Sequence, residues 1–504
     1  MISLSDIPLL LVVVPILAAT IPIVIGLRKD DVGWAITTLT CALLFLGSIV
    51  LAWSVYSGDG TVFHRLGGFD RPVGIELVAD RFSTGIALLV TSVSLGVLSY
   101  TRVGGPRGNT FYAGYLLLVG GLLGITFTGD VFNLFVFLEI TGLATYGLIA
   151  KSSSGKAAYS ALKYLIIGTL GASLYLLGVG LLYIATGTLN MIDLSTALAT
   201  VGYDDPLILG GFAFIVVGFS IKVAQWPVHS WQPDAYQHAP DGVTPLIAAL
   251  VSTVSAYAMG RVLYTVFTID FLRETPLAAD ALVVIGSLSI VIGSILAVMQ
   301  WDVKRMLAYS SVSQFGVIVA AFGLVTETAL LGAMIHLIGH GLMKAGLFIG
   351  VGIIAYSLGV RTVEGYAGVA RKQPFVAGSI ALLGIALIGI PPSIGFLGKW
   401  YIAVGSVEAA VWPVAAIIFF STMLTLAYVA KIGEKMFFQA QPGTSHQVKS
   451  TPLFTDGGVV DAVSASIGMK SVLICCALLA ILLGFAGAGL ESAFGPFVDE
   501  VFAQ

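Results

Sequence analysis

Charged residues are scarce in this sequence. Of 504 residues only 10% are Asp, Glu, Lys or Arg, against about 25% in an ordinary soluble domain, so a soluble enzyme is excluded. The net charge of −3 is too small to imply a nucleic-acid or acidic partner. Cysteine is rarer still. Cys41, Cys475 and Cys476 lie inside apolar runs without metal-ligand spacing, which excludes a disulfide framework and a zinc centre. No P-loop or other glycine-rich phosphate loop occurs, and no segment outside the apolar runs is large enough to bind a nucleotide, which argues against an ATP-driven pump. The first apolar run is preceded by Asp6 and by no basic residue; it lacks the charged start of a cleaved signal peptide and is expected to remain as a helix.

Apolar residues are abundant, at 57% of the chain with a mean hydropathy of +0.99. A bilayer core about 30 Å thick needs roughly 20 apolar residues per helix, and backbone polar groups inside it must be satisfied within a helix or closed barrel. The runs here are too long for barrel strands. They predict an all-α polytopic membrane protein of about fourteen transmembrane helices, near 7–27, 33–55, 80–101, 110–128, 130–150, 160–186, 206–229, 243–268, 278–300, 305–325, 328–357, 374–404, 411–438 and 470–490. With both termini outside, Lys and Arg should collect in alternate loops. One side holds Arg28, Lys29, Arg102, Arg107, Lys151, Lys156, Lys304, Arg305, Arg361, Arg371, Lys372, Lys431, Lys435, Lys449 and Lys470. The other has Arg65, Arg71, Arg81, Arg261 and Arg273, fifteen against five. The remaining basic residues, Lys163, Lys222, Lys344 and Lys399, fall within spans. The 60 glycines fit closely packed helices. Parts outside the bilayer are small, namely a loop near 56–79 and a polar stretch near 439–469.

Ionisable residues inside a bilayer cost about 2.5–3.5 kcal/mol each on insertion scales and by default mark an ion or proton path. Glu139, in DVFNLFVFLEITGLATYGL, is the acidic residue placed deepest within a span. Lys222 lies five residues before Pro227, whose missing N–H should break or kink the seventh helix. Paired, the two stay charged; separated, each tends to become neutral, so together they form either a switchable proton site or a structural ion pair. His336, His340 and Lys344 recur every four residues and make one polar stripe on the eleventh helix, able to pass protons along. His336 and His340 have the spacing of two zinc ligands, but no third is evident. Lys399 follows Pro391, Pro392, Gly395 and Gly398, which should interrupt the twelfth helix. Broken helices in matched positions point to a transport site between internal repeats. Spans 4–8 and 9–13 then form two inverted five-helix units, with the breaks in equivalent places. Lys163 stands near the start of span six, where it either serves the path or extends to the interface.

With these residues the chain resembles the antiporter-like membrane subunits shared by Mrp-type multisubunit cation/proton antiporters, respiratory complex I and related membrane hydrogenases. The resemblance covers roughly residues 80–435. It rests on FNLFVFLEI around Glu139, ALKYLIIG around Lys163, KVAQWPVHSWQPDAYQHAP from Lys222, WDVKRMLAYSSVSQFG around Lys304 and Ser310, HLIGHGLMKAGLF, and GIPPSIGFLGKW ending near Lys399. It implies that Glu139 and Lys222 form a coupling pair, that His336 with His340 lies on a central polar axis, and that Lys399 is the terminal proton site. Lys399 disfavours the complex I branch with Glu there, and the chain is too short for the branches with a lateral helix or the large Mrp subunit. The two span-eleven histidines and the segment Asp234 to Tyr236 leave the D-subunit branch of Mrp antiporters. Two departures stand out. Thr253 occupies the span-eight position where Lys is frequent, and Asp241-Gly242 follow QHAP where Thr-Pro is common.

The organisation expected is residues 1–105 as N-terminal helices 1–3, 106–270 and 271–440 as two five-helix half-channels, and 441–504 as a polar loop with a C-terminal helix. The function implied is that of a proton-translocating secondary-transporter subunit in a prokaryotic cell membrane, serving sodium/proton exchange and pH homeostasis. Its partners are other membrane subunits, protons, Na⁺ and the lipid bilayer, with no nucleic acid and no cofactor, and no Na⁺ site can be assigned. Two competing functions share the same residues: a proton-pumping arm of complex I or a membrane-bound hydrogenase, and a scaffold subunit that has lost transport. The retained Glu139 and Lys399 argue against the scaffold.

Overall fold

A computed structural model describes residues 3–29, 31–58, 60–152, 154–440 and 465–503. The chain is an all-α polytopic membrane protein. Its helices are α1 (Leu4–Gly26), α2 (Gly33–Ser57), α3 (Arg81–Gly104), α4 (Asn109–Phe127), α5 (Val131–Ala150), α6 (Gly155–Thr186), α7 (Met191–Val201), α8 (Pro206–Lys222), α9 (Trp231–His238) and α10 (Thr244–Glu274). They continue as α11 (Pro276–Val298), α12 (Val303–Gly323), α13 (Glu327–Leu358), α14 (Pro374–Ile388), α15 (Ile394–Glu408), α16 (Pro413–Phe438), α17 (Ile467–Leu482) and α18 (Gly487–Phe502).

Among the described residues twelve helices are long and apolar enough to cross a membrane uninterrupted. The expected span twelve occurs as two shorter pieces, α14 and α15, whereas the helix of span seven, expected to reach 229, ends at Lys222 as α8 and resumes only past that limit as α9. The backbone turns at a residue of positive φ in both breaks, Ala224 at 59° and Gly389 at 91°. Most of the polar stretch expected near 439–469, with Lys449, lies outside the described residues. The loop expected near 56–79 contains a short antiparallel hairpin, β1 (Val62–Arg65) on β2 (Glu76–Ala79), with Val62 opposite Ala79.

The core is built on α10, α12 and α13, which are buried along nearly their whole lengths, whereas α1, α16 and α17 expose Leu, Ile and Phe side chains on outward faces. These central helices carry the buried polar and charged side chains, among them His336, His340, Lys344, Gln314 and Arg261, which lipid would not accept. Close approach depends on glycine where α6 meets α8: a Cβ on Gly218 would come within 2.7 Å of the Gly171 carbonyl oxygen.

Two regions repeat the same local geometry. α6 and α13 each run 32 residues and end on a left-handed glycine, Gly187 at φ 75° and Gly359 at φ 70°. Asp130, which caps α5, bridges Asn190 just beyond α6; Asp302, which caps α12, bridges Thr362 just beyond α13.

Several basic residues assigned to one side or the other lie within helices, and two of them are buried. Arg261 lies in α10, 8% exposed, and pairs with Asp80 at the start of α3. Lys304 is 2% exposed and bonded to Asp241. A charge count cannot tell a loop residue from one buried against a carboxylate distant in sequence.

Candidate functional site

α8 ends at Lys222 because the chain must turn before Pro227, which cannot donate a backbone hydrogen bond. The ammonium so delivered lies 3.7 Å from Glu139 Oε1 on α5, with Lys222 only 4% exposed. Neither of these atoms makes a hydrogen bond among the described residues. At this separation the pair is an ion pair just beyond hydrogen-bond range, able to close or open with a small side-chain movement. The turn itself is fastened: Trp231 Nε1–H donates to the Ile221 carbonyl at 2.8 Å.

Lys163 is paired within the protein. It donates to Asp234 Oδ2 at 2.7 Å and to the Ser230 carbonyl at 2.8 Å, both in the stretch after the first break. Tyr164, its neighbour, stacks on Trp231 with ring centroids 3.9 Å apart.

Thr253 is fully buried on α10, and its hydroxyl has no partner among the described residues. The regular stretch that carries it, Ser252–Val262, is flanked by two wider π-helical turns, Ile247–Val251 and Leu263–Phe267. Such turns occur often at functional sites. Beside it runs a row that sequence reading missed: Gln232 Nε2–H donates to Tyr236 Oη at 2.9 Å, and that hydroxyl meets Ser252 Oγ at 2.9 Å. The spacing of Gln232 and Tyr236 on α9, with Ser252 beside Thr253, is a signal that could have found it.

The stripe on α13 is present and completely buried. Its members point to different partners. His336 Nε2 and Gln314 Oε1 lie 2.9 Å apart, within hydrogen-bond distance. His340 has both ring nitrogens unpartnered and packs edge-on against Phe315, with centroids 4.5 Å apart. Lys344 donates to the Leu307 carbonyl at 2.8 Å and to Ser310 Oγ, both on α12. Lys399, 6% exposed, donates to the carbonyls of Leu387 and Ile388, each at 3.0 Å. These close α14, so the second break supplies a helix C-terminus, with its partial negative charge, to a buried ammonium. Gly398 brings α15 onto α13, since a Cβ there would lie 2.5 Å from His336 Cβ.

The structure therefore brings Glu139 to Lys222 at the first break, and the turn carrying Lys399 against His336 at the second. Lys163 joins Asp234, while Thr253 stands apart from direct hydrogen bonding. Among the described residues no three His, Cys, Asp or Glu side chains converge as a metal site.

A second cluster lies between α9, α12 and the end of α13. Asp241 Oδ1 accepts from Lys304 at 3.0 Å, and Arg361 binds both its oxygens at 3.0 and 2.8 Å. Burial alone would raise this carboxyl, but Lys304 and Arg361 hold it down at about 2. The departure at Asp241 thus fills a structural place.

Residues 128–425 match the family described as NADH:quinone oxidoreductase/Mrp antiporter, TM. The chain is 38% identical over 447 residues, 87% of its length and 88% of the relative's, to the N-subunit of the NADH-quinone oxidoreductase of Desulforudis audaxviator. It is 30% identical over 501 residues, 99% and 96% of the two lengths, to the D-subunit of the Na(+)/H(+) antiporter of Bacillus subtilis. Among solved structures it resembles a chain of the membrane-bound sulfane sulfur reductase, an archaeal respiratory membrane complex, with TM-score 0.89, 27% identity and 98% of each chain covered. A chain of the Mrp complex from Dietzia sp. shares the fold at TM-score 0.89 and 24% identity, covering 100% of this chain and 98% of that one. With Glu139, Lys163, Lys222, the α13 stripe and Lys399 all inside the matched segment, and relatives of 30% identity or more along most of its length, the chain belongs to the NADH:quinone oxidoreductase/Mrp antiporter transmembrane family.

Proposed function

We propose that this chain is a proton-translocating subunit of an Mrp-type Na⁺/proton antiporter, a secondary-transporter subunit working with other membrane subunits in a prokaryotic cell membrane. The observation that carries the reading is the buried Glu139–Lys222 pair at one helix break, followed by buried basic side chains as far as Lys399 at the other. Unpaired charge inside a bilayer is too costly to keep without a use. The antiporter relative from Bacillus subtilis supports the assignment along nearly the whole chain.

In this reading residues 106–270 and 271–440 are two half-channels of inverted topology, and the matched ends of α6 and α13 support the pairing. A proton taken up near Lys222 passes the Thr253 region to His336, His340 and Lys344 and leaves through Lys399. Closing the Glu139 pair strengthens the hold of Lys222 on its proton, and opening it releases that hold, which couples the route to a neighbouring subunit. Moving one charge across 100 mV is worth about 2.3 kcal/mol, within reach of rearranging one buried pair.

The test is exchange in membrane vesicles containing the assembled complex. Glu139→Gln and Lys222→Ala should each abolish cation-dependent proton movement while the complex still assembles. Wild-type exchange in either variant rejects the coupling role. A second reading, a proton-pumping subunit of a redox complex, is favoured by the 38% identical relative named as an NADH-quinone oxidoreductase subunit. Purification in mild detergent separates the two: flavin or iron-sulfur subunits travelling with the chain select the redox complex, and small membrane subunits alone select the antiporter.

A further inference from the structure

We propose that Asp234 is a positioning residue that joins the two halves of the proton route, its carboxylate being shared between Lys163 of one half and Arg305 of the other. The proposal rests on the function set out above. One carboxylate oxygen accepts from Lys163 on α6 at 2.7 Å, and the other accepts from Arg305 on α12 at 2.8 Å. All three side chains are largely buried, with exposures of 24%, 18% and 30% for Lys163, Asp234 and Arg305. The arrangement differs from an ordinary ion pair in its charge balance. A buried carboxylate stripped of its only partner is strongly penalised, but here Arg305 keeps Asp234 paired when Lys163 lets go, so Lys163 can be released and recaptured at low cost.

What lies at each end makes this exchange consequential. On one side, Tyr164 beside Lys163 stacks on Trp231, which holds the Ile221 carbonyl next to Lys222. On the other side, α12 carries Arg305 and, further along, the Leu307 carbonyl and Ser310 that hold Lys344, and Gln314 that holds His336. A change at Asp234 is therefore bonded at one end to the turn that presents Lys222 and at the other to the helix that positions the second group of basic residues. The link bypasses Thr253, where no direct hydrogen bond spans the two halves. Contiguity alone does not establish coupling, and a double-mutant cycle does.

The cycle uses the assembled complex in vesicles, with Asp234→Asn, Arg305→Gln, the double variant, and Asp234→Glu as the conservative replacement, and with Glu139→Gln as the control. Each single loss should reduce exchange per assembled complex by about tenfold, the double should be no worse than either single, and Asp234→Glu should recover most of the rate. Losses that multiply in the double variant, or that only track a lower amount of complex, overturn the proposal. Wild-type exchange in Asp234→Asn beside an inactive Glu139→Gln overturns this coupling and leaves the function standing. An active Glu139→Gln overturns the function, and this inference with it.

Discussion

The ammonium of Lys399 donates to the carbonyl oxygen of Ile388 at 3.0 Å, across the break between α14 and α15. Leu387 accepts a second bond at the same distance, so the counter-group of this buried lysine is a helix end and not a carboxylate. A helix end cannot be neutralised by picking up a proton, so in the proposed route it is Lys399 that would gain and lose one. Replacing Lys399 with Met should stop exchange and, by leaving two buried carbonyls unpaired, cost roughly 1–3 kcal/mol of stability. Exchange assays and thermal unfolding of the purified complex measure the two effects separately.

Gly398 is predicted to be intolerant of any side chain. A Cβ would stand 2.5 Å from His336 Cβ and 2.7 Å from its Cα, forcing α15 away from α13. Gly398→Ala should lower stability by about 1–3 kcal/mol and reduce exchange, because the turn bearing Lys399 moves with α15. Gly147→Ala, on a face with nothing within 4 Å, is the matched control and should change neither.

Thr253→Val separates transport from folding. The hydroxyl is buried and makes no hydrogen bond among the described residues, so replacing it with a methyl of similar size removes none of their hydrogen bonds. Unchanged thermal stability with exchange reduced several-fold is the expected outcome. Undiminished exchange would remove Thr253 from the proton route.

The Asp241 cluster gives a pH prediction. Its carboxyl titrates at about 2 in the folded chain against 3.8 for the ordinary group. A depressed carboxyl contributes stability that is complete above the unfolded value and disappears as pH falls through the folded one, so this contribution, roughly 2–3 kcal/mol, is constant from about pH 5 upward. Asp241→Asn should therefore destabilise the protein by about 3 kcal/mol near neutral pH, since Lys304 is left buried without its carboxylate, and by no more than that at alkaline pH, where a buried lysine without a partner sheds its proton. Thermal scans of both forms at several pH values between about 5 and 9 check this; a difference that grows with alkalinity would contradict it.

The membrane class, the rough places of the spans and both helix breaks were legible in the chain, because apolar run length and proline act locally. Glu139, Lys222, the α13 stripe and Lys399 stood out for the same reason: a charge in an apolar run is conspicuous without knowledge of its neighbours. Their partners were not legible. That Lys163 meets Asp234, that Asp234 also meets Arg305, that Lys304 and Arg261 are buried, and that Lys399 rests on carbonyls all depend on helices far apart in sequence. Composition and periodicity determined which segments are long and apolar enough to enter a bilayer and where the backbone must yield. Only the packing of the helices decided which charges meet, because the Coulomb and hydrogen-bond terms that set a buried group's behaviour fall off within a few ångströms, and sequence distance carries no information about those ångströms.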